Sequence, residues 1–144
     1  MQSFAHSIYI ERPPEDVWNV MMDFSRAYRW RNLVRSIEVV TPGPLRVGSE
    51  LAVTFDAMGK VKRVLSEVWA FEPPARLGVR NTEQNVTGTF EYRLRPESTG
   101  TRVVFSCDVR PHGFMWLLLP LLVRSNRIRY SEQLARLKQE VERT

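Results

Sequence analysis

The stretch Pro13-Pro14-Glu15-Asp16-Val17-Trp18 is the most informative part of the sequence, because it marks a change from strand to helix. It follows a run over residues 4–10 that is typical of a β-strand. Proline in the first helical turn has a backbone angle that suits a helix, and the two acidic residues suit the positive end of the helix dipole. The stretch therefore predicts a strand followed by a helix over residues 14–22, with a second short helix or turn over residues 24–30.

Beyond these helices the sequence carries six strand-like runs. The run over residues 50–56 is typical: Leu51, Val53 and Phe55 alternate with more polar neighbours, as expected for a half-buried strand. Pro-Pro and Gly-containing turns separate the runs and favour an antiparallel meander. The predicted strands cover residues 33–41, 50–56, 61–72, 76–82, 85–95 and 102–110.

A long amphipathic helix over residues 120–143 closes the chain. Its apolar stripe has spacings of four and three residues, which is one face of a helix, and it consists of Val123, Arg127, Tyr130, Leu134, Leu137 and Val141. This helix is the one predicted element long enough to cover the apolar faces of all the strands. The sequence thus predicts an α+β fold, a curved antiparallel sheet of about seven strands wrapped around one helix. Such a sheet leaves a gap in which a small molecule can sit.

The length and composition set further limits. A chain of 144 residues with 43% apolar residues predicts one domain, residues 1–144, with a core that needs no disulfide. The single cysteine, Cys107, cannot form an intramolecular bridge, and the N terminus lacks the pattern of a signal peptide. We therefore expect a cytoplasmic protein.

The net charge of +5 is carried almost entirely by arginine. One interpretation is a general preference for arginine over lysine, and the other is attraction to anionic partners. Of the two denser groups, residues 26–35 contain only Tyr28 and Trp30 as aromatic residues and residues 124–129 contain none, which is too few for a platform of stacked bases. We therefore expect no nucleic-acid partner.

Several short motifs, in this order and spacing, resemble one family over nearly the whole chain. They are Ile8–Ile10, Pro14–Trp18, Asp23-Phe24, Trp30, residues 47–49 (VGS), 71–77 (FEPPARL), 100–103 (GTRV) and 134–142 (LARLKQEVE). The sequence is similar to the START-like (SRPBCC) polyketide cyclase/dehydrase and lipid-transport proteins, whose helix-grip fold is shared with the birch-pollen allergens. The resemblance implies an incomplete antiparallel barrel that grips the C-terminal helix, with an apolar cavity between them. Family members bind lipids, sterols, polyketides or hormones, and some are cyclases or dehydratases.

Alternation along the longest strand gives the first candidates for the cavity wall. If Trp69 and Phe71 point inward, Glu67 does so too, and an inward carboxylate requires a partner. Arg127 on the helix is a candidate for that partner. The alternatives are that Glu67 forms a purely structural pair or is displaced outward by a bulge, and that Arg127 extends to solvent or pairs only for structure.

The other candidates for ligand contact are aromatic or carry an amide. Phe55, Phe90 and Tyr92 fall on predicted inward faces, where they serve as wall or simply as core. Tyr130 lies on the helix stripe with a hydroxyl that needs a partner when buried, and Asn126 lies beside that stripe. The family resemblance places Trp30 near a cavity entrance, either packed against the helix or covering the ligand.

Catalytic chemistry is poorly represented in the sequence. Glu67, Tyr92 and Tyr130 are weak candidates for proton transfer. His6 and His112 have no cysteine or second histidine at metal-binding spacing, and Cys107 shares a strand face with apolar residues, as a small buried side chain does. We expect no metal and no cofactor.

Three functional hypotheses follow. The first is a carrier or sensor that binds a small hydrophobic molecule, such as a lipid or polyketide, with one polar or acidic end. The second is a polyketide cyclase or dehydratase. The third is a protein that docks on a membrane or a partner through the apolar segment 114–123, which is too short to span a bilayer. The oligomeric state is open between monomer and homodimer.

Overall fold

The computed structural model describes residues 2–57, 59–82, 86–111 and 119–143, with the side chains of all these except residues 2–4, 57, 82, 86, 111 and 119–128. The helices are α1 (Pro14–Met22), a 3₁₀ turn (Phe24–Arg26), α2 (Ala27–Trp30) and α3 (Leu119–Arg143). The strands are β1 (Gln2–Ile10), β2 (Val34–Val39), β3 (Glu50–Ala57), β4 (Lys60–Glu72), β5 (Arg76–Thr82), β6 (Val86–Glu97) and β7 (Gly100–Pro111).

The strands form one seven-stranded antiparallel sheet in the order β1-β7-β6-β5-β4-β3-β2. Strands β2 to β7 are neighbours in chain order, and β1 joins the free edge of β7. The predicted meander is therefore confirmed, and the predicted element boundaries agree with the structure to within two residues.

The core lies between the concave face of this sheet and the helices. Along β7, the side chains of Val103, Phe105, Cys107 and Val109 are all buried on this inner face, as the period of two requires. The α3 stripe is confirmed where its side chains are described, since Leu134, Leu137 and Val141 are buried. The side chains of Val123 and Arg127 lie outside the described residues. Helix α3 therefore covers the sheet, as the pattern predicts.

Strand β4 departs from the sequence-based expectation. Val64, Ser66 and Val68 are buried on the inner face, whereas Glu67 is exposed on the outer face. A bulge between Val68 and Ala70 shifts the alternation by one residue. Phe71 consequently returns to the inner face, opposite Leu77. Glu67 and Trp69 therefore do not share the inner face with Phe71, and the alternative in which a bulge leaves Glu67 on the outside is the one observed.

Trp69 instead packs on the outer face of the sheet. A side chain at Gly78 would collide with its indole ring, so this glycine provides the flat surface on which the ring rests. The Arg76 guanidinium carbon lies 5.0 Å from the centroid of the same ring, a cation–π distance. Trp69 is therefore held on the outside of the sheet by its two neighbours on β5.

The apolar segment 114–123 falls where the structure describes little. Residues 112–118, including His112, lie outside the described residues, and so do the side chains of residues 119–123. Among the helices in the described part of the chain, none is long and apolar enough to cross a membrane. The docking role of this segment stays a prediction.

Candidate functional site

A partly open cavity lies between the inner face of the sheet and α3. Its volume is about 90 Å³. This is smaller than the roughly 300–1,000 Å³ of sites for drug-sized molecules, so a ligand must be small or extend through the open side. The described residues that line it come from every strand except β1, from the 3₁₀ turn, from the α2–β2 segment and from α3. They are Phe24, Arg31, Asn32, Val34, Ile37, Leu51, Val53, Phe55, Ser66, Leu77, Val79, Asn81, Phe90, Tyr92, Phe105, Tyr130 and Gln133.

An aromatic cluster forms one wall of the cavity. Phe105 on β7 lies at the centre, with its ring centroid 4.6 Å from that of Tyr130 on α3 and 4.8 Å from that of Tyr92 on β6. Phe90 completes the cluster, 5.8 Å from Tyr130 and 6.2 Å from Phe105. Tilted rings, and stacked rings such as Phe90 and Phe105, attract one another at these separations beyond the burial of their area. The wall therefore joins the sheet to the helix and offers ring faces to a ligand.

The polar groups of the cavity gather where the α2–β2 segment meets α3. The Asn32 backbone N–H donates to Gln133 Oε1 at 2.8 Å, and Gln133 Nε2 donates to the Tyr92 hydroxyl oxygen at 2.6 Å. Asn32 Nδ2 also donates to the Arg129 carbonyl oxygen at 2.6 Å. Leu33 follows with φ of 58°, which turns the chain into β2. Two of these hydrogen bonds fix the segment to α3, and the third joins α3 to Tyr92 on β6.

Arg31 is the one charged residue among the described residues that line the cavity. It follows the last residue of α2 with an extended backbone, φ −81° and ψ 139°. Its guanidinium carbon lies 4.4 Å from the Trp30 ring centroid and 5.7 Å from that of Tyr92. Its Nε is buried without a hydrogen-bond partner, and no carboxylate within the described part of the chain pairs with it.

Burial lowers the pKa of the Arg31 guanidinium from its usual value, while the nearby Tyr92 and Tyr130 oppose that shift. Arginine nevertheless stays protonated in proteins, because its ordinary pKa is so high. The cavity therefore contains a fixed positive charge next to an aromatic wall.

The sequence matches the model of one known protein family. Residues 1–142 match the model of the family described as polyketide cyclase / dehydrase and lipid transport. The chain belongs to that family. No curated protein has significant sequence similarity to the chain.

Solved structures of this START-like fold agree with that membership. TTHA0849 from Thermus thermophilus is 26% identical, with a TM-score of 0.77, and the match covers 97% of each chain. A START superfamily protein from Mycobacterium smegmatis is 12% identical, with a TM-score of 0.78 over 98% of this chain and 97% of that one. The Zhui aromatase/cyclase from Streptomyces sp. R1128 is 18% identical, with a TM-score of 0.76 over 99% and 94%. The predicted helix-grip fold is thereby confirmed.

Within this member of the polyketide cyclase / dehydrase and lipid transport family, two tyrosines of the cavity and the cysteine of the neighbouring core are poor bases. Burial raises the pKa of the Tyr92 hydroxyl, although the Arg31 charge opposes the shift, and burial also raises the pKa of the Tyr130 hydroxyl. Burial raises the pKa of the Cys107 thiol to about 12. These groups stay protonated at neutral pH. Among the described residues, no three His, Cys, Asp or Glu side chains converge as metal ligands would.

The sequence-predicted site residues separate into three groups. Phe55, Phe90, Tyr92 and Tyr130 line the cavity. Trp30 and Phe71 lie in the inner core but not among the lining residues: Trp30 packs edge-on against Tyr92 at 6.1 Å, and Phe71 packs against Trp18 of α1 at 5.7 Å.

The remaining predicted residues are not placed in the cavity. Glu67 and Trp69 lie on the outer face of the sheet, so the proposed pairing of an inward Glu67 with Arg127 is corrected. The side chains of Asn126 and Arg127 lie outside the described residues.

The sequence interpretation missed the polar cluster itself, Arg31, Asn32 and Gln133, and a second polar pair, Ser66 and Asn81. The Ser66 hydroxyl donates to Asn81 Oδ1 across β4 and β5, and both residues line the cavity. Gln133 could have been found, because it lies three residues after Tyr130 and four before Leu137 on the same helix stripe. No periodic pattern in the sequence identifies Arg31, since it follows a four-residue helix and lies outside any regular element.

Proposed function

We propose that the protein binds a small, largely apolar molecule in the cavity between the sheet and α3. The observation that carries this proposal is the cavity lining, in which aliphatic side chains from the three strands β2, β3 and β5 face the aromatic cluster on β6, β7 and α3. Small-molecule sites have this composition, with mostly apolar walls and a few placed polar groups.

The size of the probe molecule sets the expected strength of binding. N-phenyl-1-naphthylamine has about 17 non-hydrogen atoms and, at roughly 0.3–0.5 kcal/mol per atom, gains about 5–8 kcal/mol on binding. That free energy corresponds to a dissociation constant of about 1–200 µM. Direct titration with an apolar dye measures affinities in this range.

The polar groups of the site favour binding over proton transfer. The titratable side chains among the described lining residues are Arg31, Tyr92 and Tyr130, and none of them is a base at neutral pH. General acid–base catalysis needs a group whose pKa lies near the working pH. The relative named as an aromatase/cyclase shares the fold, and a fold alone does not transfer a reaction.

Enlarging a side chain that faces the cavity should abolish most of the binding. Val79 lies on β5 and lines the cavity between Val68 and Phe90 of the adjacent strands. Val79→Phe should weaken binding of N-phenyl-1-naphthylamine, a neutral dye that fluoresces in apolar surroundings, by about tenfold or more, because the new ring occupies ligand space. Fluorescence titration measures the affinity.

The matched control is Val61→Phe, since Val61 has 58% of its surface exposed near the start of β4. This variant should bind the dye as the wild type does. Circular dichroism melts establish that both variants are folded. Equal dye affinity in folded Val79→Phe and in Val61→Phe would show that the dye does not bind in the cavity, and the proposal would be abandoned.

A further inference from the structure

We infer that the ligand is a carboxylate on an apolar body, because the Arg31 guanidinium and the Tyr92 hydroxyl meet at one end of the cavity with hydrogens to donate and no acceptor of their own. This inference rests on the proposed function and specifies the chemical class of its ligand. It depends on the direction of each hydrogen bond in the polar cluster.

The hydrogen bond from Asn32 determines the orientation of the Gln133 side-chain amide. The backbone N–H of Asn32 can only donate, so the Gln133 atom 2.8 Å from it must be the carbonyl oxygen Oε1. The NH₂ end of the amide is then directed at the Tyr92 hydroxyl, 2.6 Å away. The Asn32 backbone N–H thereby determines that Gln133 is the donor in its hydrogen bond with Tyr92.

The Tyr92 hydroxyl consequently accepts a hydrogen bond from Gln133. A hydroxyl also carries one hydrogen to donate. Tyr92 is buried, lines the cavity, and donates to no acceptor within the described part of the chain. Its hydrogen is therefore available to an acceptor in the cavity.

Arg31 adds donors and a positive charge at the same end. A guanidinium has five N–H donors and no acceptor, and the Arg31 Nε is buried without a hydrogen-bond partner. Arg31 is half-buried, and partial removal of a charge from water is destabilising unless a counter-charge or hydrogen bonds compensate it. Residues 112–128 contain no aspartate or glutamate, so the stretch between β7 and the part of α3 whose side chains are described supplies no counter-charge either.

The chemistry that satisfies both groups is an oxyanion with two acceptor oxygens. A carboxylate matches a single guanidinium in charge and in geometry, and its second oxygen can accept the Tyr92 hydrogen. A phosphate carries more charge than one arginine balances in an apolar cavity. The carboxylate would lie at the Arg31 end, with the apolar body along the aromatic wall.

A pair of isosteric ligands tests this inference. Calorimetric titration at pH 7.5 compares 2-naphthoate with the neutral 2-naphthalenemethanol. The wild type should bind the carboxylate about 10- to 100-fold more tightly, as expected for a charge-assisted hydrogen bond. Arg31→Met should remove this preference while retaining affinity for the alcohol. Arg31→Gln serves the same purpose if the methionine variant does not fold.

The matched control is Arg35→Met, which removes the same charge from an exposed side chain on β2, paired with Asp56 at 3.9 Å. It should keep the wild-type preference. A wild type without preference for 2-naphthoate, or an Arg31 variant that keeps the preference, overturns the inference. If the neutral dye and the alcohol still bind, the proposed function stands and only the ligand class is wrong. If none of the three probes binds, the proposed function fails as well.

Discussion

The free energy of unfolding should fall by about 3–5 kcal/mol when Trp30 is replaced by alanine, which is the range for truncating a large buried aromatic side chain. Trp30 is completely buried at the end of α2. Its ring packs edge-on against Tyr92 and carries the Arg31 guanidinium on its face. Removing it leaves a void behind the polar end of the cavity and takes away the surface that holds Arg31. Chemical denaturation followed by circular dichroism measures the change.

The matched control for this prediction is Tyr28→Ala on the same short helix. Tyr28 has 56% of its surface exposed, and its truncation should change stability by no more than about 0.5 kcal/mol. If Trp30→Ala is as mild as Tyr28→Ala, Trp30 is not the core residue that its burial indicates. The alternative in which Trp30 covers the entrance would then regain support.

Replacing Gly100 by alanine should also be severely destabilising, by about 2–4 kcal/mol. Gly100 begins β7 at the point where this strand meets the end of β1. A Cβ atom there would overlap the backbone carbonyl oxygen of Ile10 and would lie 2.7 Å from the Tyr9 hydroxyl oxygen. The carbonyl oxygen cannot move without shifting β1 itself. Thermal and denaturant unfolding of the variant measure the loss.

Gly78→Ala is the control for Gly100→Ala, because its added Cβ would clash with a side chain and not with the backbone. The added Cβ would meet the Trp69 indole on the outer face, which is a side chain that can swing outward. We therefore expect Gly78→Ala to be less destabilising than Gly100→Ala. The reverse order would show that the β1–β7 edge is more adaptable than its close packing indicates.

Most of the fold could be predicted from the sequence because its periodicities are strong. On β3, Leu51 and Val53 are buried as alternation requires, and on α3 the buried residues Leu134, Leu137 and Val141 follow the helical stripe. Strand β4 shows the limit of this reasoning. A single bulge near Trp69 places Glu67 on the outer face and Phe71 on the inner face, and no residue type in this strand marks the bulge.

The candidate site could be predicted only where it lies on regular elements. Phe90, Tyr92 and Tyr130 were found because each belongs to a strand or helix with a clear apolar face. Arg31 was not found, since the direction of its side chain depends on how α2 ends and how Leu33 turns the chain into β2. The expected positive charge was assigned to Arg127, whose side chain lies outside the described residues, and the structure places a different arginine, Arg31, in the cavity.

The most direct test of ligand binding in this cavity is an NMR titration of methyl-labelled protein with N-phenyl-1-naphthylamine. The methyl groups of Val53, Val79 and Leu77 line the cavity, whereas Val61 and Leu65 are 58% and 50% exposed on β4. The proposal predicts saturable shifts of the lining methyl groups and none at Val61 or Leu65. Shifts confined to Val61 and Leu65, or no saturable shift at any methyl group, would contradict it.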